Sequence, residues 1–248
     1  MGASPVILVT AGSAGLGSAV ARLFAQHGYR VAINYNTDSE RARTLIAELS
    51  AQHAKLSDVD GTKTISRYIS IQADLASALE IRRLGKETYA AMGRIDVVLS
   101  NGGWTKFRNT ASIDDNVFDE DWDRLFNMNV KCHLWLLQAS KQYLDETEGA
   151  FITTASLSSV TGVGSSLAYG TTKAAQLHMV KGLACMVAPK IRVNSVSPGL
   201  LQTKEAHRQG TKLKRFIDLE DVAEQVLGLA KSRSMTGTNI IIDAGYSL

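Results

Sequence analysis

The stretch Val6-Ile7-Leu8-Val9-Thr10-Ala11-Gly12-Ser13-Ala14-Gly15-Leu16-Gly17 decides the fold. Val6–Thr10 is a short apolar run without polar alternation, as expected of a strand buried on both faces. Gly15 to Gln26 then carries Leu16, Val20 and Leu23–Phe24 at helical spacing. A glycine-rich turn between such elements leaves bare backbone N–H groups at the positive end of a helix dipole, where a pyrophosphate is held. Gly15 and Gly17 let both the phosphate and the helix come close. The glycine spacing by itself is compatible with a turn that binds nothing. The strand before it and the helix after it point to a dinucleotide loop, with Gly12, Ser13, Gly15, Leu16 and Gly17 as expected contacts.

The same alternation continues outward. Strands are expected at Val31–Tyr35, Thr64–Gln72, Ile95–Ser100, Ala150–Ala155, Ile191–Val196 and Asn239–Ile242. Helices are expected at Ser39–Leu49, Ala76–Met92, Glu120–Leu144, Leu167–Ala188 and Leu219–Lys231, and Ala51 to Lys63 reads as a loop. Several strands are apolar throughout, which predicts an α/β fold: a doubly wound, Rossmann-type parallel sheet of seven strands with helices on both faces. No repeat, low-complexity tract or linker divides the 248 residues, so one domain is expected over 1–248.

Composition narrows the function classes. The net charge of +3 comes from 27 basic and 24 acidic residues that are interleaved, which argues against a nucleic-acid partner. No apolar run reaches the ~18 residues of a membrane helix. Met1 to Pro5 lacks the basic start of a secretory leader, so a cytoplasmic protein is expected. Two cysteines, Cys132 and Cys185, exclude a disulfide framework and a multi-cysteine zinc site, and both read as small helix hydrophobes. His133 and His178 have no paired ligands and read as packing residues, so no metal is expected.

The chemistry concentrates at the carboxyl ends of the strands, where ligands bind in open α/β sheets. Tyr169-Gly-Thr-Thr-Lys173 puts a phenol and an ammonium at i and i+4 on one helix face. A free tyrosine titrates near ~10, and a nearby cation favours its phenolate, so Lys173 is expected to bring Tyr169 toward working pH. Ser156 follows the fifth strand and Asn101 the fourth, while Asn129 lies in the next long helix. Each of these three could equally be a turn or capping residue. The second strand ends in Asn34-Tyr35-Asn36, without the carboxylate that holds the ribose of NAD, and this favours NADP over NAD. Arg41 and Arg43 follow, either near a 2′-phosphate or on a solvated helix face.

Together these motifs resemble the short-chain dehydrogenase/reductase family over nearly the whole chain. The glycine loop resembles the family's T-G-x-x-x-G-x-G, with Ala11 where the first glycine belongs. Asp74, followed by Leu75, looks like its adenine-contacting aspartate, and Ser100-Asn101-Gly102-Gly103 is similar to its N-N-A-G. Asn129, Ser156, Tyr169 and Lys173 match its catalytic tetrad, and Ser197-Pro198-Gly199 with Thr203 is similar to its nicotinamide-side segment. The resemblance implies an NADP-dependent oxidoreductase acting on a ketone or secondary alcohol. Tyr169 would give the proton, Lys173 would bind the nicotinamide ribose, Ser156 would hold the carbonyl oxygen and Asn129 would support a water. It also implies a homotetramer or homodimer. Residues 200–217 resemble a short substrate lid, or else a solvated loop, and Trp104 and Phe107 are candidates for the pocket wall. Two rivals keep the fold: the same reaction with NAD, and a nucleotide-binding sensor without catalysis.

Overall fold

The computed structural model describes residues 4–52, 58–60, 63–162, 164–199 and 210–248. Its main sheet has seven strands: β1 (Val6–Val9), β2 (Arg30–Tyr35), β5 (Tyr68–Gln72), β6 (Val97–Ser100), β7 (Ala150–Thr154), β8 (Arg192–Pro198) and β9 (Asn239–Ile242). The order is β5-β2-β1-β6-β7-β8-β9, with every pairing parallel. Helices α1 (Gly15–Gln26), α2 (Ser39–Gln52), α3 (Ala78–Met92), α4 (Asp119–Phe126), α5 (Cys132–Thr147), α6 (Leu167–Val187) and α7 (Leu219–Lys231) cover the two faces. This is the doubly wound Rossmann-type fold expected from the alternating pattern.

The strands show why that pattern is legible. All four residues of β1 are buried, and they divide by parity. Ile7 and Val9 join Val31, Ile33 and Leu99 in the core under α1, α2 and α7. Val6 and Leu8 join Ala32, Val98, Phe151 and Val193 in the core under α3, α5 and α6. A strand with a core on each side has no polar face to show.

Two local expectations are corrected. Asp58–Asp60 (β3) and Lys63–Ile65 (β4) pair antiparallel with each other as a small separate sheet, where a loop and the start of a long strand were expected. The main-sheet strand begins only at Tyr68, because ladder bonding to β2 starts with the Arg67 carbonyl accepting from the Val31 N–H (2.8 Å). The helix expected over Glu120–Leu144 is continuous, but a π-helical turn at Asn127–Lys131 separates α4 from α5. Such turns frequently mark functional positions.

The chain reverses its winding direction between β1 and β6, so a crevice opens above their carboxyl ends. Thr10 closes its floor. Its Oγ1 accepts from the Asn101 N–H (2.9 Å) and the Gly102 N–H (3.3 Å) and donates to the Leu99 carbonyl (3.3 Å).

Candidate active site

Two cavities lie along this crevice and share Gly103 and Trp104 as their common wall. The first, of about 360 Å³, is bounded by Ala11, Asn34, Asn36, Asp74, Leu75 and Gly102, with Arg124, Asn127 and Met128 opposite. The second, of about 490 Å³, is bounded by Asn101, Thr154, Ser156, Tyr169, Lys173, Pro198 and Gly199. Trp104 and Phe107 line it as expected, and Tyr246 joins them from the C-terminal turn. Thr203 and most of the expected lid, residues 200–209, lie outside the described residues.

The first cavity is shaped by main chain. Ala11, which stands where the family has glycine, takes a left-handed conformation (φ 47°) that an L-residue adopts only at a cost. A Cβ on Gly12 would stand 2.8 Å from the Ile33 side chain and 2.9 Å from the Val9 carbonyl oxygen, and one on Gly17 would overlap the Ala11 carbonyl oxygen. Helix α1 begins at Gly15 with no side-chain cap from Ala14 and no acidic residue in its first turn. Its leading N–H groups are therefore left for an anion. Gly12, Ser13, Gly15, Leu16 and Gly17 sit at this helix start, outside the walls of both cavities. Asn34 is buried and its carboxamide is fully engaged. Oδ1 accepts from the Ala11 N–H (3.2 Å), and Nδ2 donates to the carbonyls of Tyr35 (3.0 Å), Ala73 (3.0 Å) and Ile71 (3.4 Å). Asn34 therefore binds the loop to the sheet, and Asn36 is exposed at this rim. Tyr35 packs against the core instead of lining the cavity. Arg41 is paired with Asp38 (2.6 Å) and Arg43 Nε donates to the Ser39 carbonyl (3.3 Å), on the outer face of α2.

The second cavity is shaped by side chains. Ser156 caps a short turn after β7, its Oγ accepting from the Ser158 N–H (3.2 Å). Its hydroxyl stands near enough to Tyr169 to lower the phenol's pKa. Ser166 caps α6 by accepting from the Tyr169 N–H (3.1 Å), which fixes where Tyr169 enters the cavity. Asn129 is fully buried in the π-helical turn and clamps the main chain of Trp104 on both sides of its Cα. Oδ1 accepts from the Trp104 N–H (2.8 Å), and Nδ2 donates to the Trp104 carbonyl (3.0 Å) and to Thr172 Oγ1 (3.1 Å). The Arg124 guanidinium stacks on the Trp104 indole at 4.3 Å. Lys173 is buried with its Nζ donating to the Thr154 carbonyl (2.9 Å) and to Gln176 Oε1 (3.0 Å).

The electrostatics depart from expectation at one point. Burial pushes the Tyr169 phenol up, and the Ser156 hydroxyl only opposes this. Lys173 was expected to bring it down, but its Nζ lies 6.0 Å from the phenol ring centre and is itself driven down to about 8 by burial. Tyr169 thus holds its proton at neutral pH. Behind Lys173, burial and then the lysine charge hold His133 well below the usual histidine range, and burial pushes the Cys132 thiol up to about 12. His133 Nδ1 bonds Ser100 Oγ at 2.6 Å. Cys185, read as a helix hydrophobe, is instead exposed.

Gln176 and Tyr246 were not legible as site residues. For Gln176 a signal existed: it stands at i+3 from Lys173, on the stripe that goes on to Val180, Leu183 and Ala184. Tyr246 had none, because only the folded turn after Asp243 brings it to the cavity.

Comparison with known proteins identifies the family. Residues 10–247 match a family model described as enoyl-(acyl carrier protein) reductase. A 3-oxoacyl-(acyl-carrier-protein) reductase of Staphylococcus aureus is 30% identical over 256 residues, covering 96% of each chain. A short-chain dehydrogenase from Burkholderia cenocepacia, solved in complex with NADP, superposes with a TM-score of 0.84 at 30% identity over 98% of each chain. A blue fluorescent protein from a metagenomic library, solved with NADPH, does so with a TM-score of 0.85 at 26% identity over 98% of each chain. The chain belongs to the short-chain dehydrogenase/reductase family and is an oxidoreductase of that family.

Proposed function

We propose that the protein transfers hydride between NADP(H) and a ketone or secondary alcohol, working as a ketoreductase. The observation that carries this reading is the convergence of the Ser156 hydroxyl, the Tyr169 phenol and the Lys173 ammonium on one cavity at the carboxyl edge of the sheet. The crevice suits a dinucleotide. Its uncapped helix start, its glycines without room for a Cβ and its two adjoining cavities follow the outline of such a molecule. Asn36, Asp74, Leu75 and Gly102 would border the adenosine half, and Asn101, Lys173, Pro198 and Gly199 the nicotinamide half.

When bound, the dinucleotide supplies the hydride. The protein contributes position and a proton. Ser156 donates a hydrogen bond to the carbonyl oxygen, and Tyr169, kept protonated by burial, gives that oxygen its proton. A proton-loaded phenol is the form that serves reduction. Two of the three N–H groups of Lys173 are used within the protein, which leaves one for the ribose hydroxyls. The side chain of Asn129 is spent on Trp104 and Thr172, so its part is to hold the wall of the site.

The missing carboxylate among Asn34, Tyr35 and Asn36 supports NADP, as do the NADP and NADPH bound in the two structural relatives. Fluorescence titration with NADPH and NADH tests this, and tighter NADH binding overturns it. A panel of β-keto thioesters, cyclic ketones and crotonyl thioester, scored by loss of reduced-dinucleotide absorbance, tests the reaction. Consumption with carbonyl compounds is expected. Turnover of the crotonyl double bond alone would make the enzyme an enoyl reductase. Cofactor binding without turnover of any compound would make the protein a sensor.

A further inference from the structure

We infer that Gln176 is a positioning residue for Lys173: its carboxamide fixes where the ammonium sits and supplies the acceptor that no carboxylate provides. The inference rests on the role given to Lys173 above. Gln176 is fully buried, one turn beyond Lys173 on α6. Its Oε1 accepts from Lys173 Nζ (3.0 Å), and its Nε2 donates to the Thr154 carbonyl (3.2 Å), which also accepts from Nζ (2.9 Å). Three groups thus close a triangle anchored on the last residue of β7. An ammonium only donates, so the carboxamide has one orientation that satisfies the triangle. Leaving a primary amide in a region where α6 otherwise buries Val180, Leu183 and Ala184 is unfavourable unless the amide is bonded, and here both ends are.

The surroundings leave Gln176 without a substitute. The titratable groups facing Lys173 are Tyr169 on its own helix and Cys132 and His133 on α5. None of these is an anion at neutral pH: the phenol and the thiol are pushed up and the imidazole is held neutral. Among the described residues no acidic side chain pairs with Lys173, and its bonded acceptors are one backbone carbonyl and Gln176 Oε1. Burial already lowers its pKa to about 8, so loss of one acceptor falls on a group with little reserve.

The test reads Lys173 directly. Lysine labelled at Cε with carbon-13 is followed by NMR in the full-length apoprotein, and the Lys173 signal is identified by its loss in Lys173→Met. Gln176→Met, close in size and shape, should lower the Lys173 midpoint by about one pH unit, and Gln176→Glu should raise it. The alkaline limb of kcat/KM should move in the same two directions, and KM for the dinucleotide should rise roughly tenfold in Gln176→Met. A purely structural role would change the melting temperature without moving the titration in opposite directions. Should Gln176→Met fail to fold, Gln176→Asn, whose shorter amide draws its oxygen back from Nζ, takes its place with the same lowered midpoint expected. A wild-type midpoint and pH profile in folded Gln176→Met or Gln176→Glu overturns the inference. A Lys173→Met protein that retains turnover and dinucleotide affinity overturns instead the role given to Lys173.

Discussion

Around β1, β2 and β5 the crevice is walled by main chain, whereas around β7 and α6 it is walled by side chains. On the first side Asn34 satisfies four backbone groups, Thr10 satisfies three, and Gly12 and Gly17 leave no space for a methyl group. On the second side Tyr169, Lys173, His133 and Cys132 all have displaced pKa values, with burial the largest cause for each. The contrast assigns different physics to the two halves. Shape governs binding at the first, and charge held in a dry environment governs chemistry at the second. Variants of the first side should therefore act on affinity equally at every pH, and variants of the second should carry a pH signature, in rate for Tyr169 and in both rate and dinucleotide affinity for Lys173.

Replacing the proton donor should have the largest effect. Tyr169→Phe is expected to lower turnover by roughly 10²–10⁴-fold while leaving dinucleotide affinity unchanged in a fluorescence titration. Unchanged turnover would break the division, because the second half would then contain no chemistry. Gly17→Val is its counterpart on the first half. The added carbons overlap the Ala11 carbonyl oxygen, so dinucleotide affinity should be lost alongside about 1–3 kcal/mol of stability, equally at pH 6 and pH 9. A pH-dependent loss would show that charge also operates there.

Lys173→Met sharpens the contrast through stability. The folded-state pKa of Lys173 is about 8, below its unfolded value. Between that pH and the ordinary lysine range the unfolded chain binds the extra proton, so stability rises with pH across that window. Below pH 8 the folded protein carries the whole penalty. Urea denaturation should show the wild type gaining on Lys173→Met by about 3 kcal/mol as the pH climbs from 8 to beyond 10. Parallel curves would mean that Lys173 is not dry.

The same division explains what could be read from the sequence. The boundaries of α7 and β9 were legible to the residue, because the apolar period of α7 and the Ile240–Ile242 run of β9 are each bounded by polar residues. The antiparallel pairing of β3 with β4 was not, since two three-residue strands are too short to show a strand period. The π-helical turn at Asn127–Lys131 escaped because one extra residue in a turn leaves the helical spacing on either side intact. In the site, Ser156, Tyr169 and Lys173 stand at recognisable spacings. Gln176 and His133 look like any polar helix residues until the face they occupy is known. The direction of the Tyr169 shift was misread for a related reason. Spacing shows that a cation is near, but not how far the phenol is removed from water.

The smallest expected effect belongs to the loop itself, at the position where a residue and its backbone disagree. Ala11 sits at φ 47°, a conformation that an L-residue adopts at a cost of roughly 1–2 kcal/mol and that glycine adopts freely. Ala11→Gly removes that strain but adds about 0.5–1 kcal/mol of unfolded-state entropy to be lost on folding. The Ala11 N–H keeps its bond to Asn34 Oδ1, so no contact is given up. A net gain of about 0.5 kcal/mol, read as a rise of about 1–2 °C in melting temperature, should follow. Dinucleotide affinity should stay the same or improve, since the loop would reach its shape without strain. A drop in stability would mean that the methyl group makes contacts worth more than the strain, and that shape on this side of the crevice depends on side chains after all.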